Sequence, residues 1–174
     1  RGGGKSVNRQ PRGGPGSRER LCELFSSRLG SEQRAELFQS FLRKIDVTGC
    51  GLVEGLARML ELVALPKEAV GIDCIMEPFA RHFSAFGGRT QEERSLPLNT
   101  VCCLFFSFVM LHTDATNPRV RAKMSEDQFV APQRGMPGLD PGTSRACYRE
   151  VVGGALAGSL PPVGLPPPPA ASSS

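Results

Sequence analysis

"NTVCCLFFSFVMLHTD", residues 99–114, decides the fold. A run that is apolar nearly all round is, in a soluble protein, a helix buried on most sides, so the other elements must be arranged around it. Its most hydrophobic part, Val101 to Leu111, falls short of the roughly 20 residues a membrane helix needs, and a core helix is the reading. Upstream, "LVEGLARMLELV" (52–63) places Leu52, Leu56, Met59, Leu60 and Val63 at three- and four-residue steps, the stripe of one amphipathic helix. Leu21, Leu24 and Phe25, then Leu37, Phe38, Phe41, Leu42 and Ile45, repeat the pattern, with Ser31 as a cap between them. Pro66 suits the first turn of a helix whose inner face is Val70, Ile72, Ile75, Met76, Phe79 and Phe83. Pro78 should kink or end that helix, at about 3 kcal/mol if the turn stays regular. Downstream, Ser125 caps one short helix and "CYREVV" (147–152) is a last one. No strand pattern competes, and the class is all-α.

A chain of 174 residues holds one domain with a sizeable core. With no Trp and one Tyr, that core must be built from Leu, Val, Ile, Met and the ten Phe, most of them central. Residues 1–19 form a basic, Gly-rich arm with too few apolar groups to offset the entropy of ordering, and residues 153–174 are a Pro/Ser-rich tail of the same kind. The helical domain between them is 20–152. Six Lys or Arg against one Glu in residues 1–20 leave the body near neutral in a chain of net charge +4. Such an arm is read first as a solvated tail and second as a contact for phosphates on an anionic membrane surface. It carries no aromatics on which bases could stack, so no nucleic-acid partner is expected. The six Cys show no C-x-x-C pairing and there are two His, so buried reduced thiols are expected, with no metal and no cofactor.

Three local motifs are decoys. "RGGGKS" (1–6) lacks the first Gly of a phosphate-binding loop, the strand before it and the apolar helix after it. "DVTGCGLV" (46–53) imitates a calcium loop, but Cys50 and Ala57 stand where oxygen ligands are needed, and a helix-helix turn at Gly49 and Gly51 is favoured. His112 and Asp114 could be drawn as an acid-base pair, yet no nucleophile at a recognisable elbow accompanies them.

Taken together, "LVALPKEAVGIDCIMEPFARHF" (62–83), "FSFVMLHTDATNPRVRAKMSEDQFV" (106–130) and "QRG" (133–135) resemble the signature regions of the Sec-seven domain, the exchange module for Arf GTPases. The first region of that family reads F-R-L-P-G-E-A-x-x-I-D-x-x-M-E-x-F-A. Leu65, Pro66, Glu68, Ala69, Ile72, Asp73, Met76, Glu77, Phe79 and Ala80 match it. The second reads M-L-N-T-D-x-H-N-P, matched by Met110, Leu111, Thr113, Asp114, Asn117 and Pro118, with Val120, Lys123, Met124, Phe129, Arg134 and Gly135 following. The resemblance covers residues 35 to 152. Departures are Val63-Ala64 for Phe-Arg, Lys67 for Gly, and His112 for Asn.

This resemblance implies an all-helical right-handed superhelix of the Sec-seven type lacking its first helices, with the two signature regions forming an apolar groove for an Arf-family small GTPase. Glu68 is then the glutamic finger that expels GDP, without covalent chemistry. Met110, Asp114 and Asn117 line the groove, with Asp73 beside it. The implied place is cytoplasmic, peripheral on Golgi or endosomal membranes. The other reading that the residues leave open is a degenerate Sec-seven-like binding module without exchange activity.

Overall fold

The structure, a computed structural model, describes Arg20, residues 31–65 and residues 69–160. The basic arm, the stretch with Leu21, Leu24 and Phe25, the triplet Pro66, Lys67 and Glu68, and residues 161–174 lie outside the described residues. Among the described residues seven α-helices follow one another with no strand: α1 (Ser31–Leu42), α2 (Leu52–Leu62), α3 (Ala69–Phe86), α4 (Gln91–Ser95), α5 (Leu98–Thr116), α6 (Glu126–Val130) and α7 (Pro141–Val152), with a 3-10 turn at Ala131–Gln133.

Helix α5 is the centre, packed by α2, α3 and α7. Its Val101, Leu104, Phe105, Phe108 and Leu111 are buried. The Phe105 ring stacks on Phe79 of α3 at 5.2 Å and meets Phe83 edge-on at 5.5 Å. The ring contacts continue through Phe108 and Phe129 to Tyr148, joining α3, α5, α6 and α7. Each fully buried Phe contributes about 1.5–3 kcal/mol, so this chain of rings ties the four helices together. At 19 residues α5 is longer than the apolar stretch read from the sequence, and by length and composition it could cross a membrane. Val101, Leu104, Phe105, Phe108 and Leu111 pack instead in the core, which is how a core helix meets the same test.

Helix α2 presents Leu52, Val53, Leu56, Met59 and Leu60 to the core, close to the expected stripe. Gly55 is needed there for space: a Cβ would lie 2.6 Å from the buried Phe83 ring. The turn before α2 is local. Gly49 takes φ +68°, and the Asp46 carboxylate accepts the Thr48 N–H at 2.9 Å.

Three expectations need correction. Pro78 neither ends α3 nor divides it, and the helix runs on to Phe86. Ile75, Met76, Phe79 and Ala80, on either side of Pro78, are fully buried, so packing holds both halves in one helix despite the lost N–H. The boundary expected after residue 152 also moves. Residues 153–160 form turns that carry Leu156 and Leu160 into the core, with Gly154 at φ +96°. The last helix starts at Pro141, with the Asp140 carboxylate accepting the Gly142 N–H, well before "CYREVV".

A buried carboxylate fastens α2 to the segment before α4. Glu93 accepts the Leu52 N–H at 3.2 Å, the Arg89 N–H at 2.6 Å and the Thr90 N–H at 3.1 Å. Leu52 opens α2, where the first N–H groups lack helical partners, so the charge both satisfies an orphan donor and complements the helix dipole. The Thr90 hydroxyl returns a bond from the Glu93 N–H, completing a capping box.

Candidate functional site

Although α5 is apolar nearly all round, one side of it has no cover among the described residues. Met110 is 66% exposed and Cys103 is exposed, while Leu104, Phe105 and Phe108 face inward. At 100° per residue, Met110, Asp114 and Asn117 fall within about 60° of one another and share a face. The structure thus brings together three of the residues expected at the groove. Of the other two, Asp73 lies on α3 with its side chain outside the described residues, and Glu68, also outside them, immediately precedes Ala69, the first residue of α3. Helices α3 and α5 pack extensively on each other, so the two signature regions are neighbours through these helices.

The C-terminal end of α5 is held by several bonds. The Asn117 N–H closes the last turn on the Thr113 carbonyl, and Asn117 Oδ1 accepts the Arg119 N–H at 3.0 Å. That leaves the Asn117 side-chain NH2 as the donor available to a partner. Asp114 Oδ2 accepts the Met124 N–H at 2.8 Å. The Lys123 ammonium donates to the main-chain oxygens of Asp114 at 2.7 Å and Asn117 at 2.6 Å. Ser125 then caps α6 in a reciprocal box with Gln128, as its sequence predicts.

His112 and Asp114 do not form a dyad. Two residues apart on a helix they point away from each other, and His112 is buried at 3% exposure while Asp114 bonds the loop. Burial holds the His112 pKa below the ordinary value for His. The folded chain therefore keeps this ring neutral where the unfolded chain begins to protonate, and stability contributed by the neutral ring is lost as pH falls below about 6.5. The carboxylates whose pKa is lowered, Glu126 by its bonds from Arg145 and Arg149, Glu54 by Arg89 and Asp46 by the Thr48 N–H, titrate in a separate, more acidic window. The urea midpoint should fall as pH is lowered from about 7.5 to about 5.5, the direction set by the depressed His112 pKa. His112→Asn should flatten that fall; an equal fall in the variant would remove His112 as its source.

The cysteines are less uniformly buried than expected. Cys50 and Cys147 are buried, with burial pushing the Cys147 thiol up to about 12, but Cys74 and Cys103 are exposed. Sequence reading also missed the contributions of Glu92 and Glu93. Glu92 accepts the Asp140 N–H and the Thr143 hydroxyl, both at 2.8 Å, tying α4 to α7. The capping-box spacing Thr90–Glu93 was the available signal for Glu93. For Glu92 none was.

Comparison with known proteins adds the family. The Sec7 domain model matches residues 16–152. An ARF guanine-nucleotide exchange factor of Arabidopsis thaliana, GNL2, is 33% identical over 103 residues, covering 59% of this chain and 7% of that protein. Human Brefeldin A-inhibited guanine nucleotide-exchange protein 1 is 33% identical over 102 residues, covering 58% of this chain and 5% of that protein. The chain therefore spans a small part of the length of these curated relatives. The crystal structure of the Sec7p catalytic domain has a similar fold, with TM-score 0.66 at 23% identity over 76% of this chain and 69% of the other. A Sec7 domain structure bound to ARF1-GDP and complexed with brefeldin A gives TM-score 0.61 at 24% identity, over 79% and 75%.

Proposed function

This chain belongs to the Sec7 domain family, and from that premise we propose that it acts as a guanine-nucleotide exchange module for an Arf-family small GTPase, with Glu68 as the group that expels GDP. The observation that carries the reading is the uncovered face of α5, which an exposed Met110 and the anchored Asn117 share about two helical turns apart. An exposed apolar side chain and a preset amide donor on one face suit a protein partner, which can bury the first and accept from the second.

The chemistry of Glu68 follows from how a GTPase holds GDP, through its phosphates, a Lys and Mg²⁺. A carboxylate brought among them repels phosphate and competes for the cations. Two like charges about 4 Å apart at an effective dielectric near 20 repel by about 4 kcal/mol, close to a thousandfold in an equilibrium constant. The groove supplies the binding energy that drives the charge in. Asp73, on α3, is assigned to the rim of the same groove. The basic arm is assigned to an anionic membrane surface, which would set the module peripherally on Golgi or endosomal membranes.

The second reading, a binding module without exchange, is favoured by Lys67, whose ammonium adjoins Glu68 in sequence and can offset part of its charge. Labelled-GDP release from a panel of Arf-family GTPases separates the two, since a pure binder associates without accelerating release. Met110→Ala and Asn117→Ala should each raise the half-saturating chain concentration about tenfold, the scale of an interface anchor worth about 1.4 kcal/mol. For Met110→Ala thermal melting should barely change, because that side chain is exposed. Unchanged half-saturation in both variants would take the docking surface away from α5.

A further inference from the structure

We infer that Lys123 is a positioning residue: its ammonium locks the 117–124 loop onto the C-terminal end of α5 and so fixes the Asn117 amide at the docking face. The inference rests on the exchange reading for its functional consequence, but its geometry stands apart from that reading.

The argument begins with a missing donor. In a helix the Asp114 carbonyl would accept the N–H four residues on, but that residue is Pro118, which has none. The carbonyl would be an orphan at the negative end of the helix dipole. Lys123 supplies the donor at 2.7 Å and reaches the Asn117 carbonyl at 2.6 Å with the same ammonium. A cation at that end also complements the dipole. The next residue along, Met124, gives its N–H to the Asp114 carboxylate at 2.8 Å. Asp114 is thereby gripped twice by consecutive residues of the returning loop, once on its main chain and once on its side chain.

Asn117 lies inside that clasp. Its own N–H is bound to Thr113, its Oδ1 to the Arg119 N–H, and its carbonyl to both the Val120 N–H and Lys123. With these bonds made, the orientation of the remaining NH2 is set before any partner arrives, which lowers the ordering cost of docking. Without the ammonium, the Asp114 carbonyl has no protein donor among those described, and the loop holds Asn117 through its weaker neutral bonds.

The test uses the whole chain with Lys123→Met, which keeps the apolar stem and removes the charge, and Lys123→Arg, which can still donate to two carbonyls. Two readouts are taken: amide hydrogen exchange at Val120 and Met124 in the free chain, and labelled-GDP release from an Arf-family GTPase as a function of chain concentration. For Lys123→Met the Met124 amide should exchange at least tenfold faster. The half-saturating concentration should rise about tenfold, with the plateau rate kept and Lys123→Arg restoring most of both. Unchanged amide protection, or unchanged half-saturation in an active chain, overturns the inference. If the unmodified chain releases no GDP, the exchange reading falls, and the amide measurement still decides whether Lys123 holds the loop.

Discussion

Glu68→Lys should turn an exchange module into a trap. The variant keeps the docking face of α5, so it should still associate with an Arf-family GTPase, but it brings a positive charge where a negative one is meant to repel phosphate. The energy involved is about 4 kcal/mol for one sign of charge, so release should fall by about a thousandfold and reach the intrinsic rate of the GTPase. On gel filtration the variant should co-elute with the GTPase in a complex that retains labelled GDP, whereas the unmodified chain should yield a nucleotide-free complex. A variant complex that has lost its GDP would rule Glu68 out as the expelling group. Lys67→Gly works in the other direction and should speed release if the neighbouring ammonium is what blunts Glu68.

Phe105→Ala should produce the largest loss of stability. The ring is fully buried and contacts Phe79, Phe83 and Phe108, so its removal leaves a cavity at the meeting point of α3 and α5. Substitutions of this kind cost about 3–5 kcal/mol, and in a domain of this size each kcal/mol lowers Tm by about 2–4 °C. The expected loss is therefore about 6–20 °C, seen by calorimetry or far-UV circular dichroism. A shift of a degree or two would mean that the core does not turn on this ring. Because α3 and α5 carry the two signature regions, the variant should also dock less well even at temperatures where it remains folded.

These two residues illustrate what could be read in advance. Phe105 belongs to a run whose apolar character on nearly every side marks a core helix. Ser125 with Gln128 is a local cap, legible because both partners lie within one turn. The contact between Leu52 and Glu93 joins residues 41 apart in sequence, and no local pattern reports which helix N-terminus a distant carboxylate will reach. Pro78 was misread for a related reason: the penalty is local, but the burial of Phe79 and Ala80 that outweighs it is set by the tertiary packing. Composition places residues 153–160 in the tail, yet Leu156 and Leu160, reached through a turn at Gly154, enter the core.

At the candidate site the residue types were legible and their bonding was not. Met110, Asp114 and Asn117 are named at the groove by the family resemblance, and the helix then sets them on one face. That the Asp114 carboxylate bonds the Met124 N–H, rather than standing free for a partner, depends on the path of a loop that returns over ten residues. Lys123 was visible as part of the motif, but its role follows from the donor that Pro118 lacks, and only the folded loop brings the two together.

The account is tested most directly by the rate of labelled-GDP release from an Arf-family GTPase, measured against increasing concentrations of the unmodified chain and of Glu68→Lys side by side. A rate that climbs with the unmodified chain and stays at the intrinsic value with the variant is the predicted result. Equal slopes for the two, or no slope for the unmodified chain while it binds the GTPase, would contradict exchange through Glu68.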